Sequence, residues 1–215
     1  MYRHRFLFIT ILFLFVFASG IFGDEPDNSA DLNKTDAVLL RLKKSAAKIE
    51  TLSADFTQKK KIKILKDMPD SYGRMYYQSP DHLRWEILKP VTMGFIINGD
   101  RGKKWRGKKG RFKKFDVNKD PVISVISNQV FAWARCDFDK LKTGYDVSVL
   151  SESPIEIKLR PLSPMEKKYI DSIILAFSEN DNHVSRIEIN EKKGGSTQIT
   201  FSNMVINAEL QEGIF

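Results

Sequence analysis

From Thr51 onward apolar residues recur at every second position in run after run. Ala54 and Phe56 open the series, followed by Met75 and Tyr77, then Leu83, Trp85 and Ile87, then Met93, Phe95 and Ile97. An apolar period of two puts every second side chain on one face of a strand, so each run reads as a half-buried β-strand. The separators are turn chemistry: "SPDH", "NGDRG" and, between short runs at Lys103 to Arg106 and Arg111 to Asp116, "RGKKGR". The pattern resumes at Tyr145 to Leu150, Ile155 to Arg160, Ile170 to Phe177, Val184 to Asn190 and Thr197 to Phe201, with "ENDN" and "EKKGG" as turns. That makes eleven strand candidates joined mostly by short connections, the signature of antiparallel hairpins.

Two segments break the period. In "TDAVLLRLKKSAAKIETL" the residues Leu39, Leu42, Ala46 and Ile49 are three or four apart, which predicts an amphipathic helix capped near Thr35 or Asp36. After Asp120-Pro121, a cap residue followed by proline at the first helical position, Val122, Ile123, Ile126 and Val130 keep helical spacing.

A mainly β, antiparallel sheet of about eleven strands tends to curl or close, because closing hides its edges. An interior wider than its own side chains can fill must hold a ligand or a helix. Phe56, Trp85, Met93, Phe95, Ile97 and Trp105 are the interior candidates, so a ligand there would be apolar. A β-sandwich whose core those same residues fill fits the pattern equally well.

The N-terminus has Arg3 and Arg5, an apolar run from Phe6 to Phe17, and then small residues at Ala18 and Gly20. This predicts a secretory signal over residues 1–20, too short in its apolar run to anchor the chain in a bilayer. Residues 21–34, polar from Asp24 to Lys34, read as a flexible leader, leaving 35–215 as one domain. Ile21 stands where a lipid-anchored bacterial protein needs cysteine, so a soluble exported protein is expected. Cys136 is the only cysteine, which leaves no intrachain disulfide and suggests a small buried residue.

Several stretches together carry a family resemblance: "LSADFTQ", "GRMYYQSPDHLRWEILKP", "FIINGDRGKKW" and "INEKKGGSTQITFSNMVIN". In order, Phe56 and Gln58, Gly73, Pro80, Trp85, Pro90, Ile96 and Ile97, Gly99 and Trp105 resemble the pattern of the LolA family of periplasmic lipoprotein carriers. The resemblance implies an unclosed β-barrel with α-helices as a lid over a hydrophobic cavity. Ile123 and Ile126 of the second helix would join the strand residues around that cavity. It also implies a place in the periplasm, acylated lipoproteins as cargo, an inner-membrane lipoprotein-releasing ABC transporter as donor and an outer-membrane lipoprotein receptor as acceptor. Ser79 stands where the family commonly has an arginine that hydrogen-bonds the lid, and serine has no comparable fork of donors. Arg84 and Arg74 are the nearby substitutes.

Other classes receive less support. Outside the signal only His82 and His183 remain, among turn residues, and no nucleophile, metal-protease or nucleotide-binding motif occurs, so neither an enzyme nor a cofactor or metal requirement is expected. Asp137 and Asp139 read as solvated. The charge of +8 is concentrated at Arg101, Lys103, Lys104, Arg106, Lys108, Lys109, Arg111, Lys113 and Lys114, a run with no acidic residue. In an exported, monomeric protein that run would dock on anionic lipid or an acidic partner rather than nucleic acid, or would serve only as a charged edge that limits aggregation. A phospholipid or glycolipid remains an alternative cargo.

Overall fold

A computed structural model describes residues 29–63, 68–107, 111–180 and 183–215, with the backbone alone at 29–34 and 121–127. The signal segment 1–20 therefore lies outside the described residues. Eleven strands form where alternation places them. They are β1 Thr51–Lys61, β2 Ser71–Gln78, β3 His82–Lys89, β4 Met93–Asn98, β5 Arg101–Arg106, β6 Lys113–Asp116, β7 Tyr145–Glu152, β8 Ile155–Pro161, β9 Ile170–Phe177, β10 Val184–Glu191 and β11 Ser196–Ile206.

All eleven belong to one sheet in the order β6-β5-β4-β3-β2-β1-β11-β10-β9-β8-β7, antiparallel throughout. Among the described residues the edges β6 and β7 do not pair, so the sheet is an unclosed barrel, and the two-sheet sandwich is excluded. Each meander follows from its short turns. The ladder joins the two meanders through β1 and β11, whose register runs from Leu52 opposite Ile206 to Lys61 opposite Ser196.

The helices are α1 Ser29–Ala46, α2 Pro121–Ala134 and α3 Phe138–Lys142. The first begins upstream of the expected cap at Thr35 or Asp36 and takes in part of the segment read as leader. Ser29 to Lys34 contains neither proline nor glycine, and polarity alone does not stop a helix. Of its expected apolar stripe Leu39, Leu42 and Ala46 are buried, with Val38 beside them, and Ile49 is buried just beyond the helix's end. The third helix escapes periodicity because it is barely one turn long. Asp137 caps it by accepting from the Lys140 amide at 3.2 Å, and Asp139, though exposed, pairs with Lys43 of α1, so neither carboxylate is an idle surface group.

Inward-facing residues meet in register, Met75 opposite Trp85 and Trp85 opposite Phe95. Gly73 sits opposite Phe56, where the backbone must pass beneath the ring: a Cβ there would lie 2.2 Å from Phe56 Cζ and 2.2 Å from the Glu86 carbonyl oxygen. Helix α2 ends in a Schellman turn, with the Asp137 amide donating to the Ala132 carbonyl at 2.8 Å and the Cys136 amide to that of Trp133 at 3.2 Å. Cys136 occupies the left-handed position of that turn with φ 47°, which glycine usually fills.

Its side chain is buried, and burial pushes the thiol up to about 12. Since the thiolate is the reactive form, iodoacetamide at neutral pH should leave Cys136 unmodified in the folded protein and label it fully in denaturant, a difference read by intact mass. Rapid labelling without denaturant would show that the α2 terminus is open.

Candidate functional site

The inner face of the sheet is apolar and aromatic where β1 to β4 and β11 meet. Phe56 and Trp85 lie with ring centroids 4.5 Å apart, and Phe201 of β11 closes the cluster edge-on to Trp85 at 6.2 Å. Phe95 and Ile97 of β4 share this face, opposite Trp85 and Leu83 respectively. Met93 opposes Ile87 at the end of the same row and is half-buried. The structure thus brings five of the expected interior residues together: Phe56, Trp85, Met93, Phe95 and Ile97. Ile123 and Ile126 fall on α2, and their side chains lie outside the described residues.

Trp105 is a correction. It pairs with Gly94, and Gly94 with Glu86, so all three face away from the Trp85 side. Its ring lies over Gly94, where a Cβ would come within 2.7 Å of Cζ2, and is flanked by Phe112 at 5.5 Å and the Arg84 guanidinium at 5.5 Å. In "RGKKWRG" the inward positions are Gly102, covered by the Phe115 ring, Lys104 and Arg106, so the strand has no second apolar residue to set its phase.

Sequence reasoning missed Phe201, Phe131 and Trp133. Phe201 is two residues from Ile199 and shares its inward phase, and Phe131 lies one turn and a residue beyond Ile126. The inner face also turns polar at one end. Gln58 is buried, and Lys60 pairs with Glu191 at 3.4 Å.

The helices cover this face. From α2, Phe131, Ala132 and Trp133 join the core, with Phe131 6.1 Å from the Tyr77 ring. Ser79, at the expected latch position, is exposed, and its amide donates to the Glu50 carbonyl at 2.8 Å. Neither arginine substitutes: Arg74 bonds Asp55 at 3.1 Å and Arg84 bonds Glu86 at 2.8 Å, both on the outer face.

What fastens α2 is different. The Gln129 amide donates to the Tyr145 hydroxyl at 2.6 Å, and that hydroxyl donates to Glu166 Oε1 at 3.1 Å, a chain from helix to β7 to the turn before β9. Lys104 adds an ion pair to Asp120 at 2.7 Å, at the start of α2. Between α1 and α3 there are two more, Lys43 with Asp139 and Lys142 with Asp36, both exposed.

The basic run divides between faces because it alternates along two strands. Arg101, Lys103 and Lys114 project outward, whereas Lys104, Arg106 and Lys113 take the inward register. Arg111 is exposed beside Phe112, and Lys108 and Lys109 lie outside the described residues.

Comparison with known proteins decides the family. The sequence matches the family of the outer membrane lipoprotein carrier protein LolA over residues 47–215. The chain belongs to the LolA family. No protein of curated function matches it. Among solved structures, MucB is similar at 12% identity and a TM-score of 0.50, covering 84% of this chain and 61% of MucB. A LolA superfamily protein from Nitrosomonas europaea (9% identity, TM-score 0.46, 84% and 96% covered) and the lipoprotein LppX of Mycobacterium tuberculosis (14%, 0.44, 82% and 98%) are further neighbours. At this identity the likeness to MucB concerns the fold alone.

Burial raises the Glu166 carboxyl from its ordinary 4.5 to about 7, against the opposing pull of the Tyr145 hydrogen bond, and burial likewise raises the Tyr145 phenol. A carboxyl whose folded value is raised favours the fold while protonated. That contribution is complete below about 4.5 and is lost as pH rises through about 7. Glu166→Gln keeps an acceptor for Tyr145 and does not titrate. Urea midpoints of the two proteins should therefore diverge between pH 5 and pH 8 in favour of the variant. Parallel curves would place the ionised carboxylate in water rather than in the core.

Proposed function

We propose that this LolA-family chain is a periplasmic carrier that shields the acyl chains of lipoproteins and moves them from the inner to the outer membrane. The observation that carries this reading is the inner face itself: an aromatic cluster of Phe56, Trp85 and Phe201, continued by Phe95 and Ile97, on a sheet left open and covered by helices. Burying each methylene is worth about 0.8 kcal/mol, so an anchor of two or three acyl chains crosses water only if something covers it. An apolar face beneath displaceable helices meets that need. A cavity of fixed polar groups would not.

Residues 1–20 act as the export signal in this reading, and residues 35–215 as the carrier domain. An inner-membrane lipoprotein-releasing transporter supplies the cargo and an outer-membrane receptor accepts it. No catalytic step is required, since loading and release only exchange one apolar cover for another. The inner-face ligand contacts are Phe56, Trp85, Met93, Phe95 and Ile97, with Ile123 and Ile126 contributed by the lid helix.

Delipidated protein should bind a fluorescent fatty-acyl probe saturably. Trp85→Ala should weaken binding by about tenfold, the equivalent of 1.4 kcal/mol and within what an aromatic side chain loses when its burial is lost. Trp105→Phe, on the outer face, should leave it unchanged. Equal loss in both variants, or no saturable binding, would remove the inner face as the acyl site. Mass spectrometry of material co-purified from the envelope then separates acylated proteins from phospholipid or glycolipid as cargo.

A further inference from the structure

The outer face of β2 to β6 carries, at one end, an apolar band that no interior role explains. Tyr72 is 48% exposed, Leu88 40%, Val91 37% and Phe112 63%. The pairing brings them to the same end of five adjacent strands. Tyr72 opposes Lys89, and Val91 sits in the β3–β4 turn, whose Thr92 carbonyl accepts from the Gly107 amide at the end of β5 at 2.6 Å. Phe112 packs edge-on against Trp105, which is itself held over Gly94. The strand phase of Tyr72 and Trp105 is the outward one, away from Phe56 and Trp85, and Leu88 is the exposed extra residue of the β3 bulge, between Ile87 opposite Gly73 and Lys89 opposite Tyr72.

This band is framed by positive charge. Lys89, Arg111 and Lys114 are exposed around it. Between Leu88 and Lys114 the only acidic residue is Asp100, at the far end of the β4–β5 hairpin, where its carboxylate accepts from the Asn118 amide group at 3.1 Å. Aromatic side chains with basic residues beside them are what the interface of an anionic bilayer selects. Rings lodge at headgroup depth, long Lys and Arg stems reach back to the phosphates, and the negative surface supplies the attraction. An acidic protein surface would pair with the charges but would leave Leu88, Val91 and Phe112 in water.

We propose that this end of the outer face, Tyr72, Leu88, Val91, Trp105 and Phe112 with their basic frame, is a membrane-docking surface that inserts shallowly into anionic phospholipid. It deepens the carrier reading by naming where the protein meets the bilayer. Because the docking residues face outward and the cargo residues inward, the two activities are separable in one molecule.

The test is flotation of the mature protein with vesicles of phosphatidylcholine alone or of an equal mixture of phosphatidylcholine and phosphatidylglycerol, at low and high salt. Wild type should float with the mixture, not with phosphatidylcholine alone, and should come off as salt rises. Leu88→Thr combined with Phe112→Ser should lower binding about tenfold. Thermal unfolding and acyl-probe affinity should stay as in wild type, as expected for exposed positions. Val91→Ser, in a turn, repeats the apolar arm should the double variant unfold. Arg111→Gln with Lys114→Gln should weaken binding and flatten its salt dependence. Unchanged flotation of the apolar variants would overturn insertion, as would failure of wild type to bind the mixed vesicles, the outcome expected if an acidic protein is the partner. Loss of acyl-probe binding in a wild type that still floats would instead overturn the carrier reading and leave the docking surface standing.

Discussion

The pairing of β1 with β11 is the contact on which the architecture depends. Without it the chain is two separate meanders, β1 to β6 and β7 to β11, each presenting an apolar face with nothing to curl around. Strands so far apart in sequence pair only after a large loop-closure cost has been met, so this ladder is among the last to gain from local structure. The sequence reinforces it at several points. Phe56 opposes Phe201 on the inner side, and the Asn203 amide bonds Asp55 at 2.9 Å on the outer. Asn207 locks the end by accepting from the Glu50 amide at 2.8 Å and donating to the Lys48 carbonyl at 2.7 Å, tying the last strand to the turn between α1 and β1. The aromatic cluster of the inner face straddles this seam, so the proposed acyl site exists only once the two meanders have joined.

Joining them leaves two free edges, treated differently. On β7 the edge meets α1 and α3. On β6 the edge is short and carries exposed Lys113 and Lys114, and a charged edge is a poor template for another strand. The charge that protects β6 also frames the apolar band beside it, so one local composition serves both as edge protection and, in our proposal, as attraction to lipid.

Most of the fold was legible because most of the eleven runs alternate clearly and their turns are chemically explicit. What escaped notice lacked a period to detect. Helix α3 is too short for one, and Trp105 stands alone in a strand whose inward positions are Gly102, Lys104 and Arg106, so its phase is visible only from the neighbouring ladder. Phe56, Trp85 and Phe95 were legible as interior because each has apolar neighbours two residues away. Glu166 was invisible for the opposite reason. It lies in the polar stretch "SPMEKKY", where a charged residue is ordinarily solvated, and only the return of the chain to β9 buries it against Tyr145. The absence of an arginine at Ser79 was evident from the sequence, but the polar chain that fastens α2 in its place was not.

How the helices are held bears on what an empty carrier would look like. The exposed pairs linking α1 and α3 are of the kind that water and salt weaken. The greater resistance to opening is apolar: lifting α1 would uncover Val38, Leu39 and Leu42, and lifting α2 would uncover Phe131 and Trp133, together with the sheet beneath. In water that exposure keeps the helices down. If acyl chains take the place of those side chains on the inner face, the sheet stays covered, and only the helices' own stripes need another apolar surface. Loading and lid movement are then one exchange of contacts, in which cargo supplies the burial that displacement removes, and the closed, well-packed interior is the state expected of the protein without cargo.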